Sequence, residues 1–382
     1  MAMGELAGHE VPIVWEGRRA KAFVPDPLAV RDLGLDPPAV AAAAAAAADV
    51  ITAAGSLEPR YEPMARLLLR AEGVASSTIE GIRAPLADIV VAAMLPESTS
   101  PAAWVAANLA VLTEALAHAD DRDLTLEDLC GWHRTLMTGS PLPQRYVGVL
   151  RDEQGWIGGT DPTNAALVTP PPDALDDLVD DVVAYVNRTD LDPVAQAAIA
   201  HAQFEVVHPF ADGNGRLGRV LVSWILARRL SLLVPPPVSV AIAADVGGYL
   251  AGLALYRYSD HNAWVRWFAG AVRSGGTAQR RLATEVAALV ERWARQMRAA
   301  GIRQDSSIWK VIELVPLHLV LTATDVGRQL GISSKAAGQA LHRLEVLGIL
   351  ASHGTLPSHG GRPRAVFVSP DLLALAGSSP LR

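Results

Sequence analysis

His208-Pro209-Phe210-Ala211-Asp212-Gly213-Asn214-Gly215-Arg216-Leu217-Gly218-Arg219 gathers an imidazole, a carboxylate, glycine-flanked turn residues and two guanidiniums into one short stretch. Its flanks place it between two helices. Upstream, Asp192-Pro193 reads as an N-cap followed by proline at the first helical position. Val194, Ala197, Ala198, His201 and Phe204 then share a helical face. Pro209 ends that helix, because it lacks an amide donor and restricts the residue before it. Downstream, Leu217, Val220, Leu221 and Trp224 repeat at helical spacing, which predicts a second amphipathic helix from near Gly215 to about Leu230. The stretch is thus a loop emptying into a helix N-terminus.

A helix N-terminus leaves its first amides unpaired, carries partial positive charge and favours anions. Gly213 and Gly215 let backbone amides approach an oxyanion closely. Arg216 and Arg219 are three apart, so both can project from one face, and two guanidinium forks suit the outer phosphates of a nucleotide. Asp212 is placed to hold a divalent cation, since magnesium binds through one or two carboxylates plus phosphate oxygens. His208 is the group able to accept a proton near neutral pH. Phe210, apolar in a polar loop, reads as a plug that fixes its shape.

These residues fit the pattern His-x-Phe-x-Asp/Glu-Gly-Asn-Gly-Arg-x-x-Arg at every fixed position, and through them the chain resembles the Fic-domain (Fic/Doc) family. The resemblance extends over roughly residues 10–275. Arg151 to Gly159 (RDEQGWIGG), with Pro170-Pro171-Pro172 after it, resembles the hairpin flap that precedes the motif in that family. Tyr249, Asp260 and Trp264 fall near the ends of its closing helices. Trp15-Glu16-Gly17 and Pro25-Asp26-Pro27-Leu28 resemble its N-terminal region. The resemblance implies a mainly α fold, a Fic-type helical bundle with a small β-hairpin flap. It also implies transfer of AMP from ATP to a Ser, Thr or Tyr hydroxyl of a target protein. His208 would deprotonate that hydroxyl and Asp212 would coordinate Mg2+ between the α- and β-phosphates. Asn214, with the amides around Gly213 and Gly215, would cradle phosphate oxygens, and Arg216 and Arg219 would bind the β- and γ-phosphates. UMP, phosphate and phosphocholine are other groups that the family transfers.

Ser76-Ser77-Thr78-Ile79-Glu80-Gly81 fits the family's inhibitory pattern, Ser/Thr-x-x-x-Glu-Gly/Asn, after the helix-like run Met64 to Glu72. Read alone it is a helix-end acid before a turn glycine. Beside the first motif, Ser76, Glu80 and Gly81 read as inhibitory: Glu80 pairs with Arg219 and takes the charge-assisted bond that a γ-phosphate needs.

The chain of 382 residues is 50% hydrophobic and carries a net charge of −7, enough for a large core and two or three domains. No run of 18 uninterrupted apolar residues occurs, so no membrane span is expected. The run Ala41 to Ala48 reads as a helix of high propensity rather than a signal sequence. The single cysteine, Cys130, excludes an internal disulfide framework and reads as a small core residue. The cytoplasm is the expected compartment. No His, Cys or Asp spacing suggests zinc, and His133 and His201 read as packed or capping residues.

The expected organisation is an N-terminal region with the inhibitory helix over 1–100, a Fic core over 101–275, a linker helix over 276–302 and a winged-helix-like unit over 303–382. A short strand pair is expected around Pro12-Ile13-Val14 and Ala22-Phe23-Val24. Helices are expected at about 38–54, 62–77, 102–118, 173–187, 193–207, 215–230, 245–257 and 261–273, with another opening on the capping box Thr125-x-x-Asp128. Gly275-Gly276 reads as a kink or break before a further helix at about 277–300. The last 80 residues hold 8 Lys plus Arg against 5 Asp plus Glu, a balance of +3, and the remainder 25 against 35, a balance of −10.

Within that terminal unit, Ile308 to Leu314 and Thr324 to Leu330 read as helices. Gly331-Ile332-Ser333 is a turn of helix-turn-helix length. Ser334 to Leu347 reads as a third helix, with Ala337, Leu341, Leu344 and Leu347 inward and Lys335, Gln339, His342 and Arg343 outward like a recognition helix. Gly348-Ile349-Leu350 and Ala365-Val366-Phe367-Val368 are expected to pair around a loop holding Gly354, Gly360, Gly361, Arg362 and Arg364. The unit resembles a winged helix, with duplex DNA or a protein contact, including a homodimer, as its partner. The function expected first is protein adenylylation restrained by Glu80. The competing reading is a DNA-binding transcriptional regulator whose core senses a nucleotide.

Overall fold

The computed structural model of the chain describes residues 6–55, 62–95, 99–318, 320–356 and 363–377. An antiparallel hairpin comes first, β1 (Gly8–Trp15) and β2 (Arg18–Pro25). Helices α1 (Pro37–Gly55), α2 (Glu62–Ile79), α3 (Leu86–Ala92), α4 (Pro101–Ala117) and α5 (Leu126–Leu136) follow. A second hairpin, β3 (Trp156–Ile157) with β4 (Leu167–Val168), sits where the flap is expected. Then come α6 (Leu175–Val186), α7 (Pro193–Val207), α8 (Asn214–Leu230), α9 (Val238–Ala244), α10 (Val246–Arg257) and α11 (His261–Ala299). The C-terminal unit is α12 (Ser307–Leu314), β5 (Val320–Thr322), α13 (Ala323–Leu330), α14 (Ser334–Val346), β6 (Ala351–Leu356), β7 (Arg364–Val368) and α15 (Pro370–Gly377). Its antiparallel sheet has the order β5-β7-β6.

Local chemistry sets most of these ends. Asp192 caps α7 by accepting from the amides of Val194 and Ala195, with Pro193 at the first helical position. Thr125 and Asp128 form the expected capping box of α5. The spacing of apolar residues predicts one buried face on α7 and one on α8. Instead both helices are enclosed on nearly every side and form the centre of the main core. The polar residues this buries are satisfied internally. Gln196 donates to the carbonyls of Tyr185, Val186 and Arg188, and Gln203 donates to that of Asp26. Sequence spacing shows which residues are apolar but not how many neighbours surround a helix.

The expected break at Gly275-Gly276 is absent, because α11 runs unbroken through both glycines for 39 residues. Their role is close approach. A Cβ on Gly276 would lie 3.3 Å from Val50 Cγ2 of α1. Removing that carbon lets α1 lie along α11, burying Ala39, Ala43, Ala46, Val50 and Ala53. By length and composition alone α1 is apolar enough to cross a membrane.

The C-terminal strands also differ from expectation. Pairing begins at Ala351, whereas Ile349 and Leu350 are buried core residues ahead of the strand. Gly360, Gly361 and Arg362 lie outside the described residues. Helices α3, α9 and α15 were not anticipated, being seven or eight residues long without a full helical repeat.

A second core joins the two ends of the chain. It contains Leu282, Val286, Leu289, Trp293 and Met297 of α11, Leu67 and Leu68 of α2, and Val311, Leu344, Phe367 and Leu372 of the C-terminal unit. We expect Gly276→Leu to lower stability by about 1–3 kcal/mol through overpacking against Val50. Chemical denaturation should show an earlier midpoint at an unchanged slope; an unaltered midpoint would mean that α1 does not pack here as described.

Candidate active site

The loop from His208 to Gly213 is fixed at both edges. His208 closes α7 in the left-handed region (φ 50°, ψ 60°), with its amide on the Phe204 carbonyl. A histidine in that region needs its surroundings to hold it there. Arg151 supplies part of that restraint. It is buried, and its Nε donates to the His208 carbonyl (2.8 Å) while its Nη2 donates to the Pro170 carbonyl (2.6 Å). The Arg151 amide also donates to the Pro209 carbonyl (2.9 Å). Arg151 therefore ties the base of the β3–β4 hairpin to the loop.

From the other side His133 accepts at Nδ1 from the Gly148 amide (2.8 Å), which leaves Nε2 to donate to the Asp212 carbonyl (3.0 Å). Phe210 is buried as expected and stacks on the His133 ring at 4.1 Å between centroids. Asn214 also has a structural role: its side chain accepts from the Phe210 amide and donates to the Phe210 carbonyl, so it staples the loop while lining the cavity at the start of α8.

α8 begins at Gly213, which offers no side-chain cap to the first turn. Its leading amides remain available to an anion. They border an open cavity of about 310 Å³, which His208, Asp212, Gly215, Arg216 and Glu80 line. Gly213 and Asn214 line it too, and Trp104, Ile82, Ser140 and Pro141 complete the wall. Sequence reasoning missed the last four, and nothing in their local pattern marks them. Trp104 on α4 reaches the Gly139 carbonyl at 2.6 Å and so holds the 139–141 segment in place.

Arg216 is buried, with Nε and Nη1 lacking any partner and only a 3.7 Å contact from Nη2 to Met137 Sδ. Burial pulls its pKa below the ordinary arginine value. Buried donors without acceptors are uncommon, and here they are what an incoming anion would satisfy. Asp212 is exposed at the cavity rim and accepts from the Gly213 amide at 2.6 Å. Among the described residues no group of three or more His, Cys, Asp or Glu could hold a metal. A single carboxylate still suits magnesium that takes its remaining ligands from phosphate and water.

Ser76, Glu80 and Arg219 are brought together as the sequence predicts. Arg219 Nε donates to Ser76 Oγ (2.9 Å), and Nη2 donates to the Ser76 carbonyl (3.0 Å) and to Glu80 Oε1 (2.7 Å). Gly81 follows in a turn at φ 76°. The Glu80 carboxylate rests directly on the start of α8, where a Cβ on Gly215 would lie only 2.1 Å from Glu80 Oε1. Only glycine admits the acid there.

Behind Arg219 lie three further buried groups. His201 Nε2 is 2.9 Å from the Tyr249 hydroxyl and 4.0 Å from Glu205 Oε1. Burial raises the Glu205 carboxyl to about 7 and depresses His201 to about 3.

His208 Nδ1 lies 3.2 Å from the Glu205 carbonyl, which fixes the proton on Nδ1 and leaves Nε2 as the acceptor. Burial is the main cause that lowers its pKa to about 4, with the Glu205 carbonyl opposing and Arg151 assisting. The imidazole is therefore neutral, and able to accept a proton, at any pH well above about 4. An NMR titration of the free protein should place the His208 midpoint near 4, well below the ordinary histidine range; a midpoint at or above that range would overturn this placement of the ring.

Residues 123–226 match the family model described as the Fic/DOC family. The chain is 29% identical to the protein adenylyltransferase fic-1 of Caenorhabditis elegans over 166 residues, 43% of this chain and 30% of that protein. It is 45% identical over 112 residues to a probable protein adenylyltransferase of Aquifex aeolicus, 29% of this chain and 32% of that protein. It thus spans about a third of the length of these relatives. A crystal structure of a Fic family protein from Desulfovibrio desulfuricans G20 superposes with a TM-score of 0.53 at 22% identity, covering 89% of this chain and 98% of that one. That likeness establishes a shared fold.

Proposed function

We propose that this chain, whose residues 123–226 match the Fic/DOC family model, transfers AMP from ATP to a hydroxyl of a target protein under restraint by Glu80. The observation that carries this reading is the joint placement of His208 Nε2, the uncapped α8 N-terminus and the unpartnered Arg216 donors on one cavity. The curated relatives named protein adenylyltransferases supply the transferred group.

In the proposed reaction the target hydroxyl oxygen forms a bond to the α-phosphorus of ATP. The bond between the α-phosphorus and the bridging oxygen breaks, and pyrophosphate leaves. The hydroxyl proton passes to His208 Nε2, the acceptor that the Nδ1–Glu205 contact leaves exposed. The α8 amides and Arg216 stabilise the oxyanions, a positioning and electrostatic contribution that dominates such transfers. Asp212 would hold Mg2+, which when bound neutralises phosphate charge. Arg219 would take the γ-phosphate once Glu80 withdraws.

We expect His208→Ala to lower transfer by about 100- to 10,000-fold, the usual loss for a positioned base. ATP binding measured by calorimetry should stay within a few fold. A variant that labels target protein from ATP at the original rate would sink the mechanism.

Glu80→Gly is expected to raise labelling by at least about tenfold. A charge-assisted hydrogen bond contributes roughly 1.5–3 kcal/mol and each 1.36 kcal/mol is tenfold. Because the Glu80 side chain is 39% exposed, the lower end of that range applies. The gain should disappear in an Arg219→Ala background, and a gain that persists there would show that Glu80 acts through another contact.

The alternative reading assigns the C-terminal unit to duplex DNA, with the domain as a nucleotide sensor. α14 does expose Lys335, Gln339 and Arg343 in the manner of a recognition helix. The terminal balance of +3 is small for a surface that must neutralise phosphates. A sensor would also have no need of the His208 base, so we favour the transferase.

A further inference from the structure

The C-terminal unit is packed on the segment that carries Glu80, and on both sides of it. On the N-terminal side, Leu67 and Leu68 of α2 are buried in one cluster with Val311, Ile312, Phe367 and Leu372. On the C-terminal side, α3 begins only six residues after Glu80. Its Val90 belongs to that same cluster, and Leu86 packs against it. Val91 and Leu95 pack on Leu356, Val366 and Val368 of the β6–β7 sheet, beside Leu373. His353 on β6 faces Asp88 on α3 at 3.3 Å. Helix α15 touches both α2 and α3.

The opposite side of the segment belongs to the domain that holds the motif. Asn108 on α4 donates to the Gly73 carbonyl and to Ser77 Oγ. Glu72 accepts from both the amide and the hydroxyl of Ser239 on α9. Ile89 and Ala92 of α3 share a cluster with Ala102, Val105 and Ala106 of α4. Residues 67–95 are therefore a layer between two bodies, with Glu80 near its middle.

The end of α2 and the 80–85 turn carry Glu80, so the position of their backbone sets whether its carboxylate reaches Arg219. That turn is tethered at once by α3, and α3 is held by the β6–β7 sheet and α15. We propose that residues 303–377 act as a second lock on the inhibitory glutamate: they clamp α2 and α3 so that Glu80 stays on Arg219, and loosening this contact releases transfer activity. Any ligand that pulls the C-terminal unit off α3 is then an activator. The lock is a packed element biased by two sites, which is the physical requirement for coupling between them.

For its activity readout the proposal rests on the transferase reading, so the test carries a second readout. In the full-length protein, Leu373→Asp places a charge against the α3 contact. Labelling from ATP should rise roughly fivefold or more, the lower end of ordinary coupling between sites. Amides 76–82 should exchange hydrogen faster than in the parent. Added to Glu80→Gly, the substitution should give no further gain, because both act on the same contact. If it instead unfolds the C-terminal unit, labelling must still rise. A gentler pair checks the interface itself. Asp88→Lys alone should speed exchange by about twofold, as suits loss of an exposed polar contact, and His353→Glu added to it should restore the parent rate. Parent-like exchange and labelling in Leu373→Asp, beside an active Glu80→Gly protein, would overturn the lock. An inert Glu80→Gly protein with faster exchange in Leu373→Asp would keep the lock and overturn the transferase reading.

Discussion

The buried guanidinium of Arg219 organises the molecule. A cation withdrawn from water is expensive unless several acceptors surround it. Ser76 supplies two of them and Glu80 a third, so α2 has to face α8 in one register. Burial alone would lower the pKa of Arg219. Tyr249, Glu80 and Glu205 outweigh that effect and hold it above its ordinary value. Of its hydrogen-bond partners, Ser76 is buried with Arg219, whereas the Glu80 side chain is part-exposed and can leave. Its departure leaves a buried cation that has lost a carboxylate. The contact at the cavity edge thus also leaves a cation ready for another anion when the carboxylate is away.

The same trade appears on a smaller scale around Arg216 and His208. The protein leaves two buried Arg216 donors unsatisfied on the cavity wall. It also holds His208 in a left-handed conformation that histidine does not prefer. Neither feature helps the free chain to fold. Both are sustained by rigid neighbours: Arg151 on the His208 and Pro170 carbonyls, His133 between Gly148 and Asp212, and Asn214 across Phe210. A loop nailed down this way keeps a neutral imidazole and a set of anion donors in fixed relation, so little reorganisation remains when a substrate enters.

The pairing of Glu80 with Arg219 was legible only through the resemblance of Ser76 to Gly81 to the family's inhibitory pattern, since residues 139 apart share no local signal. The helix caps at Asp192 and Thr125 were legible directly, since capping is local chemistry. What failed was side-chain direction and surroundings. Asn214 sits inside the motif, yet its amide turns back into the loop. Gly275 and Gly276 resemble a helix breaker in isolation and serve as a seat for Pro237 and α1. α7 and α8 carry an amphipathic pattern yet lie at the centre of the fold, because buried glutamines and histidines there find carbonyl and hydroxyl partners 8 to 177 residues away. Arg151 stood in a stretch already identified as the flap, but nothing local shows that it clamps the loop.

α11 explains why the two ends of the chain cannot be treated as independent. At 39 residues it is about 60 Å long. Its first half, through Trp264, Phe268 and Val272, closes the core around the motif. Its second half, through Leu282, Val286, Leu289 and Trp293, builds the core of the C-terminal unit. A continuous helix contributes to both cores, and α2 and α3 pack between the elements of the two. The segment carrying Glu80 is therefore shared: Glu72, Ser76 and Glu80 are satisfied by α8 and α9, and Leu67 and Leu68 by the cluster that α11 and the C-terminal unit form together. A helix satisfied in this way by two bodies is positioned by both, so the place of Glu80 beside Arg219 follows from the architecture of the whole chain rather than from one contact alone.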